Sequence, residues 1–339
     1  MQQTLPTSRK RCSRDSTATE LFFSLMDYRN NLFISNEIED VIKFYDSFQN
    51  RDDLIEWMKE RPRGATYIHE VEGDRGIIVV IPTADFNGLN ARECRENIFN
   101  GLHIIFVESG EIPDPYFNYA HSCNVGIKKA MEYKPKWVIV SNDDMYGVDG
   151  IEKLESELSS LSGDIQVVFA KSPEHRFGIK SYIGKSTVIY SIFNVIRGKP
   201  RLPSKVSKWI KPPIEIISEY YVRNDVVLKI VQTLLVKPVV KHAYFNLIMS
   251  FGIFAGKFIA ERGGKLFDET YINGNEDVDI SFTISLGHIK SEEIDYKIGD
   301  LVGKGLGLGR GRYLRGLAGA AYFYEKHKEK LEGISVGRC

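Results

Sequence analysis

Four short apolar segments rich in β-branched residues recur along the chain and predict the strands of a buried sheet. They are residues 76–81 (GIIVVI), 103–107 (HIIFV), 137–140 (WVIV) and 165–170 (IQVVFA). Continuous apolar runs of this length indicate strands that are buried on both faces. Helical patterns lie between them, at residues 92–99, 116–133 and 150–161. Strands that alternate with helices predict an α/β fold with a mostly parallel, doubly wound sheet.

The pattern before these strands divides the chain into three parts. Residues 1–18 are polar and basic and predict a disordered tail. Residues 19–74 predict a helical N-terminal region, because apolar residues recur at helical spacing over 38–48 and again over 54–58. Residues 75–330 then form the main domain, with a basic insert at about 171–215.

The residues that follow the first three strands are the first candidates for chemistry, because ligands in such sheets bind beyond the carboxyl ends of the strands. These residues are Pro82, Thr83 and Asp85, then Glu108 and Ser109, then Asn142, Asp143 and Asp144. Acids at separate strand ends can accept hydrogen bonds from a ribose or a base.

Asp143 and Asp144 are adjacent, so their carboxylates repel each other unless a cation lies nearby. Hard oxygen ligands of this kind suit Mg²⁺ or Mn²⁺. A solvated turn that caps the following helix is the alternative interpretation. The position directly after a buried strand favours the metal.

A second acidic cluster lies far downstream, in residues 266–280 (LFDETYINGNEDVDI). It contains no Lys or Arg and has five acids: Asp268, Glu269, Glu276, Asp277 and Asp279. Glycines precede and interrupt it, which predicts a loop leading into a helix over 277–286. Complementing the dipole of that helix accounts for one or two of the acids but not for the density of the cluster.

Five motifs in chain order resemble the family-2 inverting glycosyltransferases, which have the nucleotide-diphospho-sugar transferase (GT-A) fold. The motifs are IPTADFN, IIFVESG, CNVGIKKA, WVIVSNDDM and RGGKLFDETYINGNEDVDISF, and they span residues 76–288 apart from the insert. The resemblance implies a metal-dependent glycosyltransferase of the hexosyltransferase type. Such an enzyme moves a sugar from a nucleotide-diphosphate donor to an acceptor hydroxyl or lipid phosphate with inversion.

The resemblance also implies roles for individual residues. The expected nucleotide-binding residues are Pro82, Thr83, Asp85, Glu108, Ser109, Asn124 and Asp143. Asn124 belongs to a helix motif in which Cys123 stands where the family commonly has Arg. The metal, Mg²⁺ or Mn²⁺, is expected on Asp144 and Asp143, with Asn142 in place of the first acid of the motif.

The acidic cluster matches the acceptor side and the catalytic base of the same family. Asp268 and Glu269 match the acceptor-side turn, with one extra residue between the glycines and Phe267. Glu276 and Asp277 match the acidic pair whose Asp is the general base, which must reach the acceptor hydroxyl.

Two further elements of the site are less well defined by the motifs. Many family members complete the metal site with a His beyond the acidic pair, but His288 comes too early, and Asp300 is the candidate third ligand. The glycine-rich segment 303–309 resembles a dinucleotide or kinase loop. We expect it to be a flexible lid that brings Arg310 and Arg312 to the diphosphate.

Composition and charge narrow the class of protein. Lys and Arg number 45, as do Asp and Glu, and this zero net charge argues against a uniformly basic nucleic-acid-binding protein. Four cysteines without a C-x-x-C pair argue against a disulfide-rich fold and fit a reducing compartment. Because no apolar stretch reaches about 18 residues, we expect a cytoplasmic protein, at most peripheral to a membrane.

The zero net charge is unevenly distributed, because the insert is strongly basic. Residues 171–211 contain ten basic residues and one acid, around an apolar stretch at 182–196. Such a segment fits an anionic membrane surface or a lipid-linked phosphate acceptor. A solvated basic loop over the acidic site is an equal alternative. The expected partners are thus a nucleotide-sugar donor, a glycan or lipid-linked acceptor, and an anionic membrane, with no nucleic acid.

Two other functions compete with glycosyl transfer. A nucleotidyltransferase on the same fold would prefer a loop rich in glycine and basic residues after the first strand, and residues 83–88 contain no basic residue. A non-catalytic relative that only binds a nucleotide sugar or a membrane is the second alternative. The presence of both Asp144 and Asp277 argues against it.

Overall fold

The described part of the chain contains the predicted α/β region and most of the helices around it. In this computed structural model it comprises residues 29, 37–110, 114–173, 179–185, 202–218, 226, 230, 244–248, 250–272, 274–301 and 310–336. The tail predicted at 1–18, the glycine-rich segment 303–309 and most of the apolar stretch at 182–196 lie outside these residues.

The two amphipathic patterns that precede the sheet form helices, as predicted. Helix α1 is Ile38–Asp46 and helix α2 is Arg51–Glu60. The side chain of Asn50 caps α2 by accepting a hydrogen bond from the backbone N–H of Asp53 at 3.0 Å. Both helices bury the apolar face that the sequence pattern indicated.

The structure describes eleven strands in two sheets. In chain order they are β1 (Thr66–Val71), β2 (Asp74–Thr83), β3 (Leu102–Ser109), β4 (Trp137–Ser141), β5 (Met145–Gly147), β6 (Val167–Lys171), β7 (Ile179–Lys185), β8 (Ile214–Ser218), β9 (Tyr244–Leu247), β10 (Phe251–Ala255) and β11 (Ser291–Asp300). The central sheet has the order β1-β3-β2-β4-β10-β6-β11-β5. The second sheet, which is built mainly from the insert, has the order β8-β7-β9.

The central sheet is mixed, which corrects the prediction of a mostly parallel sheet. Strands β3, β2 and β4 are parallel, and so are β6 and β11. The pairs β1–β3, β4–β10, β10–β6 and β11–β5 are antiparallel. An apolar run indicates that a strand is buried but does not indicate its direction, so the sequence pattern could not show that β10 runs antiparallel to β4 and β6.

Helices cover both faces of the central sheet. After α2 they are α3 (Leu89–Glu93), which continues as a π-helical turn (Cys94–Ile98), α4 (Tyr119–Met131), α5 (Ile151–Ser160), α6 (Ser204–Ile210), α7 (Gly256–Glu261), α8 (Glu276–Leu286) and α9 (Arg310–Val336). Along β2, residues Ile77, Val79 and Ile81 face α3 and α5, whereas Ile78 and Val80 face α4, α7 and α8. This alternation explains why the strand has a continuously apolar sequence.

The helices α1, α2, α6 and α9 share a separate core, which we call the helical cluster. The region predicted as helical at 19–74 therefore packs on the C-terminal helix, and it also contains β1, which belongs to the central sheet. Helix α6 buries Val206 and Ile210 in this cluster, so its apolar side faces protein. The predicted contact of the insert with an anionic membrane depends mainly on residues 186–200, which are outside the described residues. Among the helices that are described, none is long and apolar enough to span a bilayer.

A buried hydroxyl joins the N-terminal region to α9. The Tyr45 hydroxyl donates to the carbonyl of Leu314 and accepts from the N–H of Ala318 at 3.1 Å, so it lies between two groups one helical turn apart. Tyr45 is completely buried. Its removal leaves polar backbone groups of α9 without this partner inside an apolar core.

We expect Tyr45→Phe to lower the free energy of unfolding by about 1–3 kcal/mol, because a buried backbone group that loses its partner pays a desolvation penalty. Urea unfolding at neutral pH measures this change. Tyr67→Phe is the control, since Tyr67 is 57% exposed, and it should change stability by less than about 0.5 kcal/mol. Equal stabilities of the two variants would contradict the proposed role of the hydroxyl.

Candidate functional site

The carboxyl ends of β2 and β4 meet at one edge of the sheet and are joined by a side-chain hydrogen bond. The Thr83 hydroxyl donates to Oδ2 of Asp143 at 2.7 Å. Ser109, at the end of β3, reaches the carbonyl of Thr83 at 3.5 Å. The structure therefore brings the three predicted strand ends together. Asp85 closes the turn after β2 by accepting from the N–H of Asn87 at 2.9 Å, and Pro82 is buried in the strand itself.

The adjacent acids after β4 lie in a partly buried turn. Burial raises the pKa of Asp143, the hydrogen bond from Thr83 opposes this shift, and the neighbouring charge of Asp144 adds to it. Asp144 is only 9% exposed. A cation beside these carboxylates would offset both the desolvation cost of the buried charges and the repulsion between them.

Asp300, the candidate third ligand, lies beside this turn in the backbone. Residue 300 pairs with Met145 across β11 and β5, and the N–H of Leu301 donates to the carbonyl of Asp144 at 2.7 Å. The side chain of Asp300 accepts from the Ser250 hydroxyl at 2.7 Å. The structure thus brings Asp300 to the metal motif from a strand 156 residues downstream of Asp144.

Asp143, Asp144 and Asp300 are the candidate ligands for a divalent cation. Within the described ranges, no group of three or more His, Cys, Asp or Glu side chains is placed to hold a metal. Mg²⁺ is commonly held by one or two carboxylates together with water and substrate phosphates, rather than by a complete protein cage. Asp144 and Asp300, whose backbones are adjacent, supply carboxylates of the type that such a site uses.

The predicted nucleotide ligand Glu108 holds the turn after β2. Its Oε1 accepts from the N–H of Phe86 at 2.9 Å and its Oε2 is hydrogen-bonded to His69 Nε2 at 2.7 Å. The hydrogen bond from Phe86 is the main reason that the pKa of Glu108 is lowered, and His69 contributes too. Each oxygen has a second lone pair, which can accept a hydrogen bond from a ligand hydroxyl.

Phe86 forms a layered arrangement at this place that the sequence did not predict. The His69 ring stacks on it with centroids 4.3 Å apart, and the Arg95 guanidinium lies 4.9 Å from the ring centre. Arg95 also donates to the Phe86 carbonyl at 2.7 Å. His69 comes from β1, a strand the apolar pattern missed because it lies at the edge of the sheet and is only partly buried.

The structure places Asn124 beneath the acceptor-side segment rather than at the sheet edge. Its amide donates to the carbonyl of Phe267 at 2.8 Å and to Glu269 Oε1 at 2.9 Å. Its oxygen accepts the N–H groups of Leu266 and Phe267, both at 3.1 Å. The side chain has two donors and two lone pairs, and all four are used. A contact with the nucleotide would require Asn124 to give up one of these bonds.

The acceptor-side acids are tied to the helices on either side. Glu269 is hydrogen-bonded to His121 of α4 at 2.9 Å, which is the main cause that lowers its pKa to about 2. Asp268 accepts from Lys326 of α9 at 2.6 Å and from Tyr322 at 2.8 Å. Burial raises the pKa of Asp268, but Lys326 and the other hydrogen bonds outweigh it and lower the pKa to about 2.

The acidic pair Glu276 and Asp277 begins α8, as the sequence indicated. Asn275 precedes it in the left-handed conformation with φ of 75°. Asp277 Oδ1 accepts the N–H of Val278 at 2.8 Å, and the Ser281 hydroxyl donates to the Asp277 carbonyl at 2.6 Å. The position in the first turn favours a negative charge on these carboxylates.

Tyr119 is hydrogen-bonded to the turn after β4. Its hydroxyl donates to Asn142 Oδ1 at 2.9 Å. Burial is the main cause that raises the pKa of Tyr119; Cys123 adds to it, and the charges of Glu276 and Asp277 contribute as well. No sequence signal identified Tyr119, since a Tyr at the start of an amphipathic helix ordinarily serves packing.

Arg310 and Arg312 lie in the first turn of α9. The lid that was expected to carry them to the diphosphate is residues 303–309, which the structure does not describe. Their role as diphosphate ligands therefore stays a prediction.

Comparisons with known proteins do not add to this geometry. No model of a protein family matches the chain, and no curated protein matches it. The function is therefore inferred from the arrangement of these side chains and from the motifs.

We expect Glu269→Gln to lower the free energy of unfolding by about 1.5–3 kcal/mol at pH 7, the usual contribution of a hydrogen bond to a charged group. The folded-state pKa of about 2 lies below the ordinary value of 4.5. The contribution is therefore present above pH 4.5 and is lost as the pH falls towards 2. Urea unfolding at pH 7 and pH 3.5 should show the difference from wild type shrinking at the lower pH. The exposed Glu261→Gln is the control, and a difference independent of pH would contradict the prediction.

Proposed function

We propose that the protein is a metal-dependent inverting glycosyltransferase with a GT-A-like fold. It would move a sugar from a nucleotide-diphosphate donor to a hydroxyl of a glycan or lipid-linked acceptor. The observation that carries this proposal is the convergence of separate motifs. The ends of β2, β3 and β4 are linked to one another, and Tyr119 donates a hydrogen bond to Asn142 in the turn after β4. The charges of Glu276 and Asp277 contribute to the raised pKa of Tyr119, which supports a place for the acidic pair near this turn.

The topology supports the location of the donor. From β2 the chain moves to β3 on one side and later to β4 on the other, so the strand order reverses at β2. In open α/β sheets a crevice forms at such a switch point, outside the carboxyl ends of the strands, and ligands bind there. Thr83 and Asp143 meet at this crevice.

The residues of the chain divide the work of the reaction. Asp144, with Asp143 and Asp300, would hold Mg²⁺ or Mn²⁺, and the bound cation would supply Lewis-acid neutralisation of the leaving diphosphate. Asp277 accepts the proton of the acceptor hydroxyl as its oxygen attacks the anomeric carbon. The new glycosidic bond forms as the bond from that carbon to the diphosphate oxygen breaks, and the nucleoside diphosphate leaves. One displacement without an enzyme nucleophile inverts the anomeric centre.

We expect Asp277→Asn to lower kcat by roughly 10²–10⁴-fold, the usual contribution of a general base. Binding of the nucleoside diphosphate should be unchanged, because the substitution leaves the strand ends intact. The measurement is transfer and hydrolysis across a panel of nucleotide sugars, with calorimetry of nucleotide binding.

Asp295→Asn is the matched control for this variant, since Asp295 is an exposed acid that pairs with Lys153 and Lys171. Full activity of Asp277→Asn would eliminate the assignment of the base. An inactive wild type with every donor would favour the non-catalytic alternative. Release of pyrophosphate during synthesis of a nucleotide sugar would favour the nucleotidyltransferase.

We expect Mn²⁺ and a nucleoside diphosphate together to raise the Tm of the wild type. Ligand at 100 times its Kd stabilises by about 2.7 kcal/mol, which corresponds to roughly 4 °C for a chain of 339 residues. The shift should disappear in Asp144→Asn and on removal of the metal with a chelator. Asp164→Asn, which removes a surface partner of Lys290, should keep it. A shift that survives in Asp144→Asn would contradict the proposed metal site.

A further inference from the structure

The turn that leads into α8 lies directly against α9. A Cβ atom at Gly319 would lie 2.2 Å from the Gly274 carbonyl oxygen and 3.1 Å from Asn275 Oδ1. The first distance is shorter than side chains tolerate, and its partner is backbone, which cannot rotate away. The turn can therefore occupy this place only because position 319 has no side chain.

Helix α9 also contacts the first turn of α8 at Asp279. Asp279 is 5% exposed and accepts from Lys326 Nζ at 2.9 Å, from His327 Nε2 at 2.6 Å and from the Tyr271 hydroxyl at 3.1 Å. Lys326 and His327 lie in α9 where this helix is kinked, because His327 has the non-helical angles φ −113° and ψ 15°. Residues 276 and 277 thus lie between two places where α9 contacts the chain, the turn at 274–275 and the side chain of Asp279.

The capping residue Asn275 supports α8 through its backbone and not through its side chain. Its carbonyl accepts from the N–H of Asp279 at 2.8 Å, its side chain makes no cap, and its φ of 75° lies in the left-handed region that Asn adopts more readily than most residues. Ring contacts between Phe282 and Phe323, 5.4 Å between centroids, and between Phe282 and His327, 4.9 Å, continue the packing of α8 on α9. Helix α9 therefore contacts the chain on both sides of the acidic pair, at the turn before it and at Asp279 after it.

We propose that α9 is the positioning element of the active site and that Gly319 sets the reach of Asp277 towards the acceptor hydroxyl. This inference rests on the proposed function. A methyl group at 319 requires the turn to withdraw by about 1 Å to reach ordinary contact distance. A displacement of 1 Å at the reacting groups can cost roughly 10²-fold in rate.

The test compares Gly319→Ala with Gly316→Ala. A methyl group at Gly316, one turn earlier on α9, would meet nothing within 4 Å, so it is a matched control. Rates are expressed per site, with sites counted by calorimetric titration with UDP or GDP in the presence of Mn²⁺. We expect Gly319→Ala to lose 10- to 100-fold in kcat per site with little change in donor KM, and Gly316→Ala to retain the wild-type value. A merely unfolded fraction would lower the number of sites and leave kcat per site unchanged.

A second pair of variants and a second measurement keep the inference testable. His327→Gln can still donate to Asp279 and should retain kcat per site, whereas His327→Leu should lose it. Hydrogen exchange of peptides covering 274–280 should rise in Gly319→Ala and stay at the wild-type rate in Gly316→Ala.

The two proposals fail in different ways. A wild type that is active while Gly319→Ala matches Gly316→Ala in kcat per site overturns the positioning role and leaves the glycosyltransferase assignment standing. A wild type inactive with all donors removes the assignment. In that case unchanged exchange at 274–280 in Gly319→Ala would overturn the positioning role as well, and raised exchange would support it.

Discussion

The start of α8 depends on one close backbone approach, between the 274–275 turn and α9. The absence of a side chain at Gly319 lets the carbonyl of Gly274 approach the helix, and Asn275 accepts a left-handed conformation there. Lys326 and His327 hold the next turn through Asp279. Helix α9 is also hydrogen-bonded to Tyr45 of α1, so it contacts both the N-terminal helices and the start of α8.

The central sheet supplies the other half of the site through its strand order. Parallel strands β3, β2 and β4 present their carboxyl ends at one edge, and the strand order reverses at β2, the position at which ligands bind in open α/β sheets. Antiparallel β10 then lies beside β4 and brings Ser250 to Asp300 and to the backbone of Asn142. The backbones of two distant segments that carry acids, 143–144 and 300, are therefore adjacent without any sequence motif that joins them.

The sequence predicted more of the secondary structure than of the contacts between distant segments. Helices α1, α2, α4, α5 and α8 and strands β2, β3, β4 and β6 follow from their periodicity, and Thr83 and Asp143 were expected at adjacent strand ends. The edge strand β1 was missed because its faces are only partly buried, and His69 was missed with it. Asn124 was expected at the nucleotide, whereas its amide is saturated by the 266–269 segment, a contact across more than 140 residues.

The sequence by itself determined which residues form buried strands and which acidic residues follow those strands. The reason is that a buried strand or helix leaves a local pattern of apolar residues in the sequence. The sequence also determined that a carboxylate pair begins α8. Only the tertiary structure decided the direction of β10, the approach of Asp300 to Asp144 and the support of the acidic pair by α9. These features depend on contacts between segments far apart in the chain. A local pattern records that a residue is buried but not which distant backbone it is buried against.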